Sequence, residues 1–440
     1  MAKEIIIVRG NGTLSGTVKA SGAKNSALKL MAASILAQGE CVIRNVPRIS
    51  DIDVMGEVLE VLGAIVKRGD GEDAHTLYVD TSQVDSFETP YELVSRMRAS
   101  IAVLGPLIGR FGRAFVAMPG GCQIGARKID MHLRGLEALG VTFSIDHGYL
   151  MAEATNGLHG NEVVLDFPSV GATENLLMAS VVAEGKTVIA NAAREPEIVD
   201  LANMLNQMGA RISDAGRSVI TVEGVSLDEL HPCEHATVGD RIEAGTFLVG
   251  GALTGGPLTV TGIDSDFLRM AIAKFREMGC VVEEGADFIT IRRTEPLRPV
   301  EIQTLPHPGF PTDLQAQFML LAACAKGTSV ITENVFENRF MFASELARMG
   351  ADILIEDHHA LVRGGRKLQG APVSSTDLRA GAALVLAGIV AEGETRVHKI
   401  GHIDRGYEDY VGKLRSLGAD VSRELPYKKH RASVRLNSEE

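Results

Sequence analysis

One cysteine and five polar or charged helix entrances carry the chemistry this sequence offers. Cys122 lies in Pro119-Gly-Gly-Cys-Gln-Ile-Gly-Ala-Arg127 and is followed closely by two cations, Arg127 and Lys128. Nearby positive charge lowers a thiol pKa and raises the thiolate fraction, so this side chain suits proton transfer or nucleophilic attack. The competing reading is an ordinary loop thiol. Elsewhere, polar and charged residues stand where buried apolar segments begin: Lys24-Asn25, 169–173, Asp240-Arg241, Thr312-Asp313 and Asp377 with Arg379. Thr312, Thr376 and Asp240 fit plain N-caps. Lys24 and the arginines do not, because a cation at the positive end of a helix dipole is mildly unfavourable. A bound anion would offset that cost. Lys24, Arg98, Arg127, Arg241, Arg339, Arg379 and Arg405 are therefore expected to line an anion-binding cleft. Some of these arginines are expected to pair locally instead, as Arg194 with Glu195 or Arg405 with Asp404.

The elements that must hold these residues repeat six times. Gly63, Gly140, Gly209, Gly279, Gly350 and Gly418 are separated by 77, 69, 70, 71 and 68 residues, each preceded by Leu or Met. Leu or Phe stands about one helical turn earlier, and a strand-forming apolar residue follows three later. This is the pattern of an amphipathic helix, a left-handed glycine stop and a strand. Upstream in every copy lies a more apolar segment, at 25–36, 93–108, 172–183, 242–253, 314–325 and 378–391. The last holds twelve unbroken apolar or glycine residues, 380–391. That is too short for a bilayer and predicts a helix buried on all sides. The second copy carries about four additional residues, and they fall in the Cys122 segment. An insertion so rich in glycine is expected to form a mobile loop that can act as a lid.

Units of about 70 residues exceed the usual solenoid period of roughly 20–50, so closure around a shared core is expected. A chain of 440 residues is also too long for one core, which predicts two domains of three units. The formal charge of −12, from 44 basic and 56 acidic residues, excludes a basic nucleic-acid footprint. The N-terminus shows no apolar secretory segment, and the five cysteines show no zinc-ligand spacing. A cytoplasmic, reduced protein without membrane segments is expected, with Cys41, Cys233, Cys280 and Cys324 structural.

Several segments together resemble one family: SGAKN at 21–25, MRAS at 97–100, PGGCQIGAR at 119–127 and SVGATEN at 169–175. To these are added REPEIVD at 194–200, DRIEAGTF at 240–247, FPTDLQAQF at 310–318, FENRF at 336–340, TDLRAG at 376–381 and HIDRGYE at 402–408. The chain resembles the UDP-N-acetylglucosamine enolpyruvyl transferases from about residue 5 to 424, leaving the tail 425–440 without a counterpart. The resemblance implies a two-domain inside-out α/β barrel of six βαβαββ units, three per domain. It places 22–235 in the first domain and 1–21 with 236–440 in the second, with the active site in the cleft between them. Binding of the sugar nucleotide is expected to close that cleft and carry the Cys122 loop over the second substrate.

The activity so implied is transfer of the enolpyruvyl group of phosphoenolpyruvate to the 3-hydroxyl of UDP-N-acetylglucosamine, releasing phosphate, at the committed step of peptidoglycan synthesis. Cys122 would be the general acid and the site of a covalent phosphoenolpyruvate adduct, and Asp313 the base on the 3-hydroxyl. Lys24, Asn25, Arg127, Arg379 and Arg405 would hold phosphoenolpyruvate. Arg98, Arg127, Lys128, Ile129, Asp130, Met131, Phe167, Ser169, Val170, Asp313 and Val335 would hold UDP-N-acetylglucosamine. No metal or cofactor is implied, since cationic side chains supply the charge stabilisation. Gly239 stands where the family often has proline, and Phe167 where some members have lysine. Three other readings are weighed: the sister enzyme acting on shikimate 3-phosphate, a DNA clamp, and a noncatalytic sensor of the sugar nucleotide. The first would show lysine-rich phosphate motifs and the second a basic inner surface. The third would have lost Cys122 or Asp313.

Overall fold

The computed structural model describes residues 4–118 and 129–425. Cys122, Arg127 and Lys128 lie outside the described residues, and of Arg98 only the backbone is described.

The six copies fold as six four-stranded sheets of one topology. In the third copy the short strand Glu162–Val164 runs parallel to Lys186–Ala190, which pairs antiparallel with Val219–Glu223, with Arg211–Ser213 at the far edge. Alternation along Lys186–Ala190 puts Thr187 and Ile189 inside, as a strand with one covered face requires. All six marker glycines have left-handed φ between 94° and 110°, the conformation a side chain would strain.

Three of the six sheets are completed by a strand from elsewhere in their half. Glu234–Ala236, after the third copy, becomes the parallel edge of the first sheet beside Glu40–Arg44. Gly16–Lys19 does the same for Leu258–Thr261. Ile5–Arg9 enters between Glu394–His398 and Asp420–Glu424. Three units thus close on themselves, which explains why the stack does not continue.

Six inner helices fill the interior: α1 (Lys24–Ala33), α2 (Leu104–Phe111), α3 (Val170–Ser180), α4 (Arg241–Thr254), α5 (Gln315–Cys324) and α6 (Leu378–Val390). In α6 every residue from Arg379 to Ile389 is buried, as its unbroken apolar run predicts. The buried apolar residues form two separate clusters. One draws on residues 27–230 and the other on 6–20 with 242–421. Among the described residues no helix is long and apolar enough to cross a membrane.

The second inner helix departs from the expectation. The predicted helix 93–108 is three pieces: Tyr91–Val94, a 3₁₀ helix Arg98–Val103, and α2. Pro106 has no N–H for the carbonyl of residue 102 and its ring would clash there, so an unbroken α-helix cannot run through it. Asn175 from α3 also intervenes. Its Oδ1 accepts from the Gly105 N–H at 2.7 Å, and a Cβ at Gly105 would stand 2.4 Å from the Asn175 carbonyl oxygen.

Two connectors join the halves, and they cross at Gly22 and Gly239, which form an antiparallel bridge. A Cβ at Gly22 would lie 1.6 Å from the Asn45 carbonyl oxygen, and one at Gly239 2.0 Å from that of Gly262. Neither position leaves room for a side chain.

Candidate active site

The charged entrances of α1, α5 and α6 come together, and two carboxylates organise them. Asp51 lies on the helix Ser50–Val61, on the face that also buries Ile52, Met55, Val58 and Leu59. It receives Lys24 Nζ at 2.7 Å from its own half and Arg405 Nε at 2.8 Å from the other. Burial works to raise the Asp51 carboxyl, but Lys24 and Arg405 outweigh it and hold it below the ordinary carboxylate range. Lys24 is pushed down from the usual lysine value by burial, with Asp51 opposing and Arg379 and Arg405 adding to the fall. Such an ammonium gains from a further anion.

Asp313 is the second hub. It sits in the 3₁₀ turn Thr312–Leu314 that opens α5 and keeps 28 % of its side chain exposed. Arg339 Nη2 donates to it at 2.8 Å and Arg379 Nε at 3.4 Å, and both guanidiniums are 4 % exposed. Burial works to raise the Asp313 carboxyl, yet Arg339 and Arg379 hold it far below its ordinary value. Arg379 also lies over the Tyr407 ring at 5.2 Å, and its Nη1 is buried without a hydrogen-bond partner among the described residues. A buried, unpaired guanidinium N–H beside Lys24 calls for an oxyanion.

Other entrances are spent on structure. Asp240 caps α4, accepting from the Ile242 and Glu243 N–H groups, and Ser169 caps α3 by accepting from Ala172 at 3.3 Å. Asp377, not Thr376, caps α6, because Thr376 only donates to the Asp377 carboxylate. Thr312 does not cap α5 either: its hydroxyl donates to Glu333 at 2.8 Å. Arg241 is bound to Glu197 of the other half at 3.0 Å. The expected local pairs are absent. Arg405 goes to Asp51, Asp404 to Arg423, and Glu195 accepts from the His307 backbone N–H at 3.3 Å.

The residues implied for the sugar nucleotide fall in several segments, two of which the structure ties together. Asp130 and Met131 begin the helix Asp130–Ala138, and Ile129 is buried before it. Arg134, which the sequence did not single out, binds both Asp130 and Asp166 at 2.8 Å and so ties this helix to the segment leading into α3. There Phe167 is 39 % exposed, Ser169 is the cap and Val170 opens the helix. Asn25 is half-buried beside Lys24, and Val335 sits after the strand Thr328–Thr332.

Asp51 was also legible in principle: an acidic residue at a buried position of an amphipathic helix needs a partner. Its removal leaves Lys24 buried and Arg405 unpaired. Asp51→Ala is expected to lower the unfolding free energy by roughly 3 kcal/mol. On the exposed side of the same helix, Asp53→Ala should change it by less than about 0.5 kcal/mol. Equal urea midpoints for the two variants would refute the pairing.

Comparison with known proteins agrees with this geometry. Residues 8–414 match the family model of EPSP synthase (3-phosphoshikimate 1-carboxyvinyltransferase). The chain is 52 % identical over 421 residues to UDP-N-acetylglucosamine 1-carboxyvinyltransferase 1 of Halalkalibacterium halodurans, covering 96 % of this chain and 94 % of that one. It is 51 % identical to the UDP-N-acetylglucosamine 1-carboxyvinyltransferase of Desulfatibacillum aliphaticivorans, covering 95 % and 99 %. Among solved structures, the enolpyruvyl transferase NikO from Streptomyces tendae superimposes with a TM-score of 0.86 at 32 % identity, covering 96 % and 99 %. An EPSP synthase from Acinetobacter baumannii, at 16 % identity and a TM-score of 0.74, shares the fold. Six closed units, charged inner-helix entrances and near-full-length identity of this degree lead to one conclusion: the chain belongs to the enolpyruvyl transferase family, on its UDP-N-acetylglucosamine 1-carboxyvinyltransferase branch.

Proposed function

We infer that this protein transfers the enolpyruvyl group of phosphoenolpyruvate to the 3-hydroxyl of UDP-N-acetylglucosamine and releases phosphate, the committed step of peptidoglycan synthesis. The observation that carries the reading is the chain Asp51, Lys24, Arg379, Asp313, in which an unpaired guanidinium N–H and a burial-stressed ammonium stand next to an ionised carboxylate. Phosphoenolpyruvate brings a phosphate and a carboxylate to Lys24, Asn25, Arg127, Arg379 and Arg405, and bidentate Arg contacts fix its plane. The nucleotide and sugar lie on Arg98, Arg127 to Met131, Phe167, Ser169, Val170 and Val335. We assign residues 22–235 to one domain and 1–21 with 236–440 to the other, with the substrates between them.

The reaction is addition followed by elimination. Cys122 delivers a proton to C3 of phosphoenolpyruvate, the sugar oxygen attacks C2, and Asp313 takes the hydroxyl proton. The tetrahedral intermediate then loses a C3 proton and phosphate. A carboxylate held by two arginines is fully ionised but a weak base. When the anionic substrate engages Arg379, part of that guanidinium's pull on Asp313 is withdrawn and its basicity rises. Loading of the second substrate thereby prepares the base for the first.

A mass spectrum of the sugar nucleotide after incubation with phosphoenolpyruvate tests the reading. The expected product is heavier by one enolpyruvyl ether. Unchanged UDP-N-acetylglucosamine together with a modified shikimate 3-phosphate would assign the protein to the sister reaction.

A further inference from the structure

The fifth unit differs from the first and third just after its central strand, where it places a buried carboxylate. In the first unit Asn45 directly follows the strand Glu40–Arg44, and its Nδ2 donates to the Thr237 carbonyl, one residue past the parallel edge strand, at 2.8 Å. In the third, Asn191 follows Lys186–Ala190 and donates to the Leu165 carbonyl in the same way, at 2.8 Å. Both asparagines are left-handed, with φ of 55° and 54°. In the fifth, the residue making this bond is Asn334, to the Thr304 carbonyl at 3.2 Å, and it stands two positions after Thr328–Thr332. The registers fix the comparison: Ala236 opposes Arg44, Val164 opposes Ala190 and Gln303 opposes Thr332. Glu333 therefore stands where Asn45 and Asn191 stand, and the asparagine that makes this bond is displaced by one position.

Its side chain is 4 % exposed and accepts four hydrogen bonds. Oε1 accepts from Thr304 Oγ1 at 2.8 Å, the Val335 N–H at 2.8 Å and the Phe336 N–H at 3.2 Å, while Oε2 accepts from Thr312 Oγ1 at 2.8 Å. Thr304 Oγ1 in turn accepts from the Asn334 N–H at 2.9 Å. One carboxylate thus joins the turn that carries Asp313 to the loop that carries Val335. No cation pairs with it among the described residues, so its charge is met by dipoles alone and the two segments must stay in place to satisfy it.

We propose that Glu333 is a positioning residue for the sugar nucleotide: it holds the 335–336 backbone and the Thr312-Asp313 turn at the spacing that a UDP-linked sugar spans. This rests on the assignment of Val335 and Asp313 to that substrate. Among the described residues Glu333 makes no direct hydrogen bond or ion pair with Lys24, Arg379 or Arg405, so its larger effect falls on the sugar nucleotide.

Calorimetric binding of UDP-N-acetylglucosamine and steady-state kinetics for both substrates test the proposal on the full chain. Glu333→Ala is expected to weaken UDP-N-acetylglucosamine binding roughly 10- to 100-fold, with KM for phosphoenolpyruvate within about twofold of the parent. Glu333→Gln, which retains an acceptor for the two backbone N–H groups, should recover most of that loss. If Glu333→Ala does not fold, Thr312→Val, which removes one donor, is expected to weaken the same binding about threefold to tenfold. Unchanged sugar-nucleotide binding in the variants, or an equal rise of both KM values, would overturn the proposal. Absence of binding by the parent protein would instead contradict the assigned reaction.

Discussion

Asp313→Asn is expected to lower kcat by roughly 10² to 10⁴ while UDP-N-acetylglucosamine still binds, because it removes the base and preserves shape. Asparagine cannot accept the 3-hydroxyl proton. It also leaves Arg339 and Arg379, both 4 % exposed, facing a neutral amide. A fall in thermal stability should therefore accompany the kinetic loss, since an uncompensated buried charge is costly. The pH dependence has a definite sign. The Asp313 carboxyl is depressed below its ordinary value of 3.8, so its contribution to stability is complete above that value and is lost as the pH falls through the depressed one. The variant should lack this acid-side loss. Rapid quench of a single turnover measures the kinetic part, and an Asp313→Asn rate within threefold of the parent would remove Asp313 from the base role.

Cys122→Ser is the second large effect. A hydroxyl of the same shape is a far weaker acid than a thiol with a free value near 8.5, so proton delivery to C3 should slow by about 10² to 10⁴. Sugar-nucleotide affinity should be nearly unchanged. The variant should also fail to form a covalent adduct with phosphoenolpyruvate, which intact-protein mass spectrometry reads directly. Comparable loss of UDP-N-acetylglucosamine binding would make Cys122 a structural thiol of its loop.

What the sequence revealed and what it hid follow from the range of the forces involved. The six units were legible because a left-handed glycine after an apolar helix face is a local requirement, and Gly63 through Gly418 satisfy it in turn. The fracture of the second inner helix was legible too, in Pro106, but the apolar period through 93–108 outweighed it in the reading. Cations at helix entrances were found because each is locally unfavourable. Their partners were not, since nothing local to Arg405 points to Asp51, more than three hundred positions away in the chain. The same holds for Arg241 and Glu197. Thr312 shows the limit well: a threonine before a helix fits a cap, and only the return of a distant strand places Glu333 where it captures the hydroxyl instead. Local rules located the charged positions, and tertiary closure decided which of them remained free for a ligand.

The most direct test of the central claim is phosphate release by the purified protein with phosphoenolpyruvate and UDP-N-acetylglucosamine together and with each omitted. The arrangement of Lys24, Arg379, Arg405 and Asp313 predicts release only when both are present, because the phosphate leaves from an adduct that contains both. Release from phosphoenolpyruvate alone, or none from the folded protein with both substrates, would contradict it.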